Sequence, residues 1–225
     1  IADADAATAR APVEEQAAVS KGSVTVKGKA IGYTATAGTL TIRDDNGRPT
    51  GSIFYTAYTA EGANRPVTFF YNGGPGSATV WLHMGSFGPV RVTPDQYAVT
   101  PNPWTLLDKT DIVFIDAPGA GWSRPLGDKQ AKDFNGVDQD GDAFARAITR
   151  YVAKNNRWKS PKFLFGESYG TLRSGVVARM LEERGVSLHG VALLSTIMNY
   201  GVRQAGYDQN YLTLFPGYAA TAWYH

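Results

Sequence analysis

Three short apolar runs in this chain each end in a glycine-rich turn. Pro66–Tyr71 leads into Asn72-Gly73-Gly74-Pro75-Gly76, Asp111–Ile115 into Asp116-Ala117-Pro118-Gly119-Ala120-Gly121, and Lys162–Phe165 into Gly166-Glu167-Ser168-Tyr169-Gly170. Runs without polar alternation suit strands covered on both faces. Between and after them, Asp142–Ala153 carries Phe144, Ile148, Tyr151 and Val152 at helical spacing. Thr171–Glu183 does the same with Leu172, Val176, Val177 and Met180, which are expected to form its buried face. Strands alternating with helices predict an α/β fold, a mostly parallel sheet with helices on both faces and its site at the carboxyl ends of the strands. The glycine-rich turns fall at those ends.

Upstream, Ser23–Val26, Thr39–Arg43 and Ser52–Tyr58 read as N-terminal antiparallel strands, with Asp44-Asp45-Asn46-Gly47 as a hairpin turn. That acidic turn lacks the ligand spacing and closing glutamate of a calcium loop. Residues 1–20 are rich in alanine and small polar groups and are expected to form a flexible arm. They begin without Met and lack the regions of a signal peptide, so the expectation is a processed or trimmed chain.

Of the 225 residues 43% are hydrophobic and 19% charged, a composition able to bury a sizeable core. With 22 Lys+Arg against 20 Asp+Glu and no dense basic block, nucleic acid is not an expected partner. No apolar run reaches the roughly 20 residues of a membrane-spanning helix, so no membrane partner is expected. The chain has no cysteine, which excludes thiolate nucleophiles and cysteine-ligated metals. It also has no Asn-x-Ser/Thr sequon, which favours a bacterial source.

Gly166-Glu167-Ser168-Tyr169-Gly170 fits Gly-x-Ser-x-Gly, with an apolar strand before it and an amphipathic helix after it. In such an elbow the serine occupies a strained turn, and side chains two positions away on either side would collide with backbone. Ser168 is therefore the candidate nucleophile. Its tetrahedral intermediate needs two aligned N–H donors. The Tyr169 amide is one, and the loop Asn72–Gly76 is placed to supply the other.

Phe70–Ser77, Asn102-Pro103-Trp104-Thr105, Ile115–Ser123 and Gly166–Gly170 resemble, in order and spacing, the serine carboxypeptidase family of α/β-hydrolases. The resemblance covers residues 55–200. It implies a cofactor-free enzyme that removes single residues from peptide carboxyl termini, typically at acidic pH, and a periplasmic or secreted location. It further implies Gly74 and Tyr169 amides as the oxyanion hole, and Asn72 and Glu167 as ligands of the substrate's terminal carboxylate. The last role is chemically coherent, because a glutamate can donate to a carboxylate only when protonated. Where the family usually offers a second acid, this chain has Ser86.

The triad order in this fold is Ser, Asp, His. Asp208 and His225 have that order, but too little chain separates them for the intervening elements. His83 and His189 read as structural. The expected Asp and His are therefore assigned to a second chain or a C-terminal half. On this reading residues 21–200 form the first part of the hydrolase core. Residues 201–225, with Tyr207, Tyr211, Phe215, Tyr218, Trp223 and Tyr224, begin a cap insertion over the site. The alternatives are an esterase or acyltransferase on the same serine, or a non-catalytic peptide-binding relative.

Overall fold

The computed structural model describes residues 11–93, 97–204, 206 and 208–225. Tyr207 lies outside them. Its principal sheet contains β1 (Ala17–Val26), β2 (Lys29–Arg43), β3 (Pro49–Ala60), β4 (Val67–Tyr71), β7 (Asp111–Ile115), β8 (Arg124–Pro125), β9 (Lys162–Glu167) and β10 (Gly190–Leu194), while β5 (Val90–Thr93) and β6 (Ala98–Pro101) form a separate hairpin. The order is β1-β2-β3-β7-β4-β9-β10, with β8 beside β3. The ladders from β1 to β7 are antiparallel and those joining β7, β4, β9 and β10 are parallel.

Every residue of β4 and β7 is buried, as their unbroken apolar runs require. One sheet face packs Leu40, Ile53, Phe69 and Leu164 against Phe144 and Ile148 of α2 (Val137–Lys154) and Val177 and Leu181 of α3 (Tyr169–Glu183). Helical cover is unequal. The opposite face, with Val24, Phe70 and Phe114, is closed mainly by Leu82 of the short α1 (Val80–Leu82) and by Leu107. The Asp44–Gly47 hairpin turn is present, with Gly47 at φ +79° and Asp44 Oδ1 accepting from the amides of Asn46 and Arg48.

Two expectations are corrected. The buried face of α3 centres on Tyr169, Gly170, Arg173, Ser174, Val177 and Leu181, whereas Leu172, Val176 and Met180 are only half-buried. The packing of the helix start against the end of β4 rotates that face toward Arg173. The free arm does not extend to residue 20: residues 1–10 lie outside the described residues, but β1 begins at Ala17, and Gln16 exchanges backbone and side-chain hydrogen bonds with Thr39. Glu15 explains the anchoring. It accepts from Arg150 at 2.8 and 3.0 Å, from Lys154 Nζ at 2.9 Å and from the Thr41 amide at 3.0 Å.

At the other end of the chain, α4 (Gln209–Tyr224) has no buried residue and exposes Tyr211, Phe215, Tyr218, Trp223 and Tyr224. Among the described residues no helix is long and apolar enough to cross a membrane.

The Glu15 cluster has a pH signature. Partial burial works to raise its carboxyl, but Arg150, Lys154 and the Thr41 amide together hold it at about 2, below the ordinary 4.5. A carboxylate depressed in the fold contributes stability above its unfolded value and loses it as pH falls. Glu15→Gln is expected to cost about 1–2 kcal/mol at pH 7, after solvent screening at the half-exposed Arg150. The difference from wild type should fade between pH 4.5 and 2, as read by urea unfolding at each pH.

Candidate active site

β9 runs directly into Ser168, whose backbone is forced to φ 57°, ψ −121° before α3 begins at Tyr169. A non-glycine residue at positive φ is strained and needs neighbours that hold it there. Those neighbours are close. A Cβ at Gly166 would lie 2.2 Å from Gly170 O, and one at Gly170 would lie 3.0 Å from Tyr71 O. Backbone contact thus requires glycine at 166, whereas a side chain at 170 would fit only if the Tyr71 carbonyl gave way by a few tenths of an ångström. The Ser168 amide donates to Leu194 O at 2.9 Å, tying the elbow to the end of β10.

The loop after β4 lies against this elbow. A Cβ at Gly73 would sit 2.4 Å from the Tyr169 nitrogen and 2.7 Å from Glu167 O. Gly74 follows at φ +106°, and Ser77 N–H closes the turn onto Gly73 O at 3.2 Å. The Tyr169 amide belongs to the first turn of α3, where N–H groups have no intrahelical acceptor. The backbone at Gly73-Gly74 and the Tyr169 amide therefore converge beside Ser168, whose side chain caps no helix amide.

Asn72, 4% exposed, donates from Nδ2 to Glu167 Oε2 at 3.0 Å and accepts at Oδ1 from the Leu82 amide at 3.1 Å. The structure thus brings Asn72, Gly74, Glu167, Ser168 and Tyr169 together at the carboxyl ends of β4 and β9. Ser86 lies in a five-residue turn, His83–Phe87, and its carbonyl accepts from Asn102 Nδ2 at 2.6 Å.

Among the described residues no histidine hydrogen-bonds the Ser168 side chain. His83 bonds Tyr58 Oη through Nε2 at 2.7 Å and stacks on Phe114, and burial pushes it down to about 4. His189 is at the opposite end of β9, where its Nδ1 accepts from the Lys162 amide. His225 caps the exposed α4. Asp208 precedes α4.

Sequence reasoning missed the supports beneath these residues. Arg173 is buried, bonds both oxygens of Asp140 and donates from Nη1 to Asn72 O at 2.8 Å. Asp116 Oδ1 accepts from the Thr79 amide at 2.8 Å, and Thr79 Oγ1 donates to Ile115 O, fixing the far end of the glycine loop. Asn102 bonds Gly88 O as well as Ser86 O, and Thr105 bonds Phe87 O, so that motif braces the His83–Phe87 turn. The signal available was the spacing of Arg173 with Val177 and Leu181, which places one ionisable residue in an apolar helical stripe.

The loop–elbow contact leaves no room for a methyl group at Gly73. Gly73→Ala is expected to lower stability by about 1–3 kcal/mol through backbone overpacking. Gly76→Ala, in open space but at φ +88°, should cost about 1 kcal/mol. Urea unfolding of the two variants checks the order.

Comparison with known proteins places these features in a family. The family model for serine carboxypeptidase matches residues 27–207. Serine carboxypeptidase-like 33 of Arabidopsis thaliana is 25% identical over 150 residues, covering 65% of this chain and 31% of the relative. The pheromone-processing carboxypeptidase KEX1 of Yarrowia lipolytica is 28% identical over 149 residues, covering 64% of this chain and 24% of the relative. This chain therefore spans under a third of the length of those curated relatives. The crystal structure of a prohormone-processing carboxypeptidase from Saccharomyces cerevisiae superposes with a TM-score of 0.60 at 22% identity, over 72% of this chain and 38% of that one, and it shares the fold. The match of the family model over most of the sequence, together with the elbow and glycine loop at the strand ends, shows that the chain belongs to the serine carboxypeptidase family.

Proposed function

We propose that this chain carries the nucleophile and oxyanion hole of a serine-type carboxypeptidase. The observation that bears most weight is the approach of the Gly73 backbone to the Tyr169 nitrogen beside a positive-φ serine. Ser168 Oγ attacks the carbonyl carbon of the last peptide bond and its proton passes to a base. The Gly74 and Tyr169 amides stabilise the oxyanion, and preorganised donors of this kind are worth about 10²–10³ in rate each. Collapse of the intermediate expels the C-terminal residue as a protonated amine and leaves an acyl ester on Ser168. Water then attacks the ester and frees the shortened peptide.

Asn72 Nδ2 and Glu167, already hydrogen-bonded to each other, receive the substrate's terminal carboxylate. Two carboxylates in contact must share a proton, so binding strengthens as pH falls. Ser86 leaves Glu167 without a second acid partner in this role. The base and its orienting acid come from a further segment or a second chain. The open edge of β10, where Val191, Leu193 and Leu194 are each exposed by over 40%, supports pairing with an additional strand on that side. The exposed aromatic face of α4 supports the cap reading, and a periplasmic or secreted site suits an enzyme working in acid.

Two experiments test the assignment. A fluorophosphonate should label the active protein on Ser168, and Ser168→Ala should abolish both labelling and release of free amino acids from blocked dipeptides; persistent labelling would place the nucleophile elsewhere. Glu167→Gln should flatten the rise of KM with increasing pH while leaving kcat within about threefold. An unchanged pH–KM profile would remove Glu167 from carboxylate capture.

A further inference from the structure

We infer that Arg173, held by Asp140, is a positioning residue that sets the Asn72–Gly74 backbone against the nucleophile elbow. The inference rests on the carboxypeptidase reading of Ser168 and extends it to a group that touches no substrate.

Arg173 lies on α3 five residues after Ser168, and its side chain is fully buried. Its guanidinium is used on two sides. Nε and Nη2 bond the two oxygens of Asp140 on α2 at 2.6 and 3.2 Å, while Nη1 donates to Asn72 O at 2.8 Å. The rings of Phe144, Tyr169 and Tyr71 surround it, with centroids 4.3, 5.2 and 5.6 Å away. These contacts leave the fork a single orientation.

The carbonyl that Arg173 holds belongs to the Asn72–Gly73 peptide. Because a peptide unit is planar, fixing that C=O also fixes the direction of the Gly73 N–H and the start of the Gly73-Gly74 segment. The Asn72 side chain is held separately, by Glu167 and the Leu82 amide. Backbone and side chain of Asn72 are thus set by different partners, one for each proposed task. Tyr71 Oη, hydrogen-bonded to Ser174 Oγ at 2.7 Å, ties the same strand end to the next residue of α3.

Burial of an ion pair is weak ground for a purely stabilising role, because well-packed apolar residues usually serve at least as well. A guanidinium is needed where one group must satisfy a carboxylate bidentately and still reach a third acceptor. Lysine has a single nitrogen and cannot span Asp140 and Asn72 O in the same geometry.

The test uses steady-state kinetics on a blocked dipeptide, with active sites counted by fluorophosphonate titration. Arg173→Lys keeps a charge beside Asp140, and Arg173→Met combined with Asp140→Leu removes both charges. Each is expected to lower kcat per titrated site about 100-fold with KM within threefold, the effect of a misplaced oxyanion donor. Either variant, folded, with kcat per site within threefold of wild type overturns the inference. So does a loss confined to the number of titratable sites, or failure of both variants to fold, since each outcome marks Arg173 as structural only. A wild-type protein complete with the segment or second chain that carries the base, yet without carboxypeptidase activity, overturns the underlying reading instead.

Discussion

The approach of the Gly73 backbone to the Tyr169 amide organises the rest of this molecule. Two backbone segments from different strands, β4 and β9, must lie closer than any side chain permits, and they must stay there without a covalent link. Neighbouring parallel strands bring the segments to the same end of the sheet. Glycine removes the Cβ that would separate them. The strained Ser168 backbone then persists because the elbow is clamped on one side by β10, through Leu194 O, and on the other by the glycine loop.

The four ordered motifs form one support for that contact. Asp116 and Thr79 hold the far end of the glycine loop, while Asn102 and Thr105 brace the turn that follows α1. Asn72 links the glycine loop to Glu167, and Arg173 carries the link down into α3 and across to Asp140 on α2. Polar groups buried this deeply are costly unless each finds a partner. Among the described residues Ser52 Oγ is the one fully buried side-chain oxygen or nitrogen without one.

Much of this was legible in the sequence because the strongest signals were local. β4, β7 and β9 announce themselves as short apolar runs ending at glycines, and Gly166–Gly170 carries its own strand-to-helix context. The first half of β2 was not legible: in Lys29–Gly38 alanine, threonine and glycine alternate without strong apolar contrast, and the strand is held by its neighbours β1 and β3. Residues 11–20 read as free because the interaction that fixes them spans from Glu15 to Arg150 and Lys154. Arg173 was hidden by the rule that charges face solvent, which fails where an Asp on another helix and a loop carbonyl meet the guanidinium. α4 offers aromatic residues without a polar face, and Pro216 interrupts its pattern.

The proposed oxyanion hole requires an oxyanion formed on Ser168 to lie between the amides of Gly74 and Tyr169. A crystal structure of the active protein after reaction with a phosphonate tests it directly. The expected result is a phosphoryl oxygen about 2.7–3.1 Å from both nitrogens. A phosphonylated Ser168 whose phosphoryl oxygen points to solvent, or lies beyond hydrogen-bond reach of either amide, would contradict it.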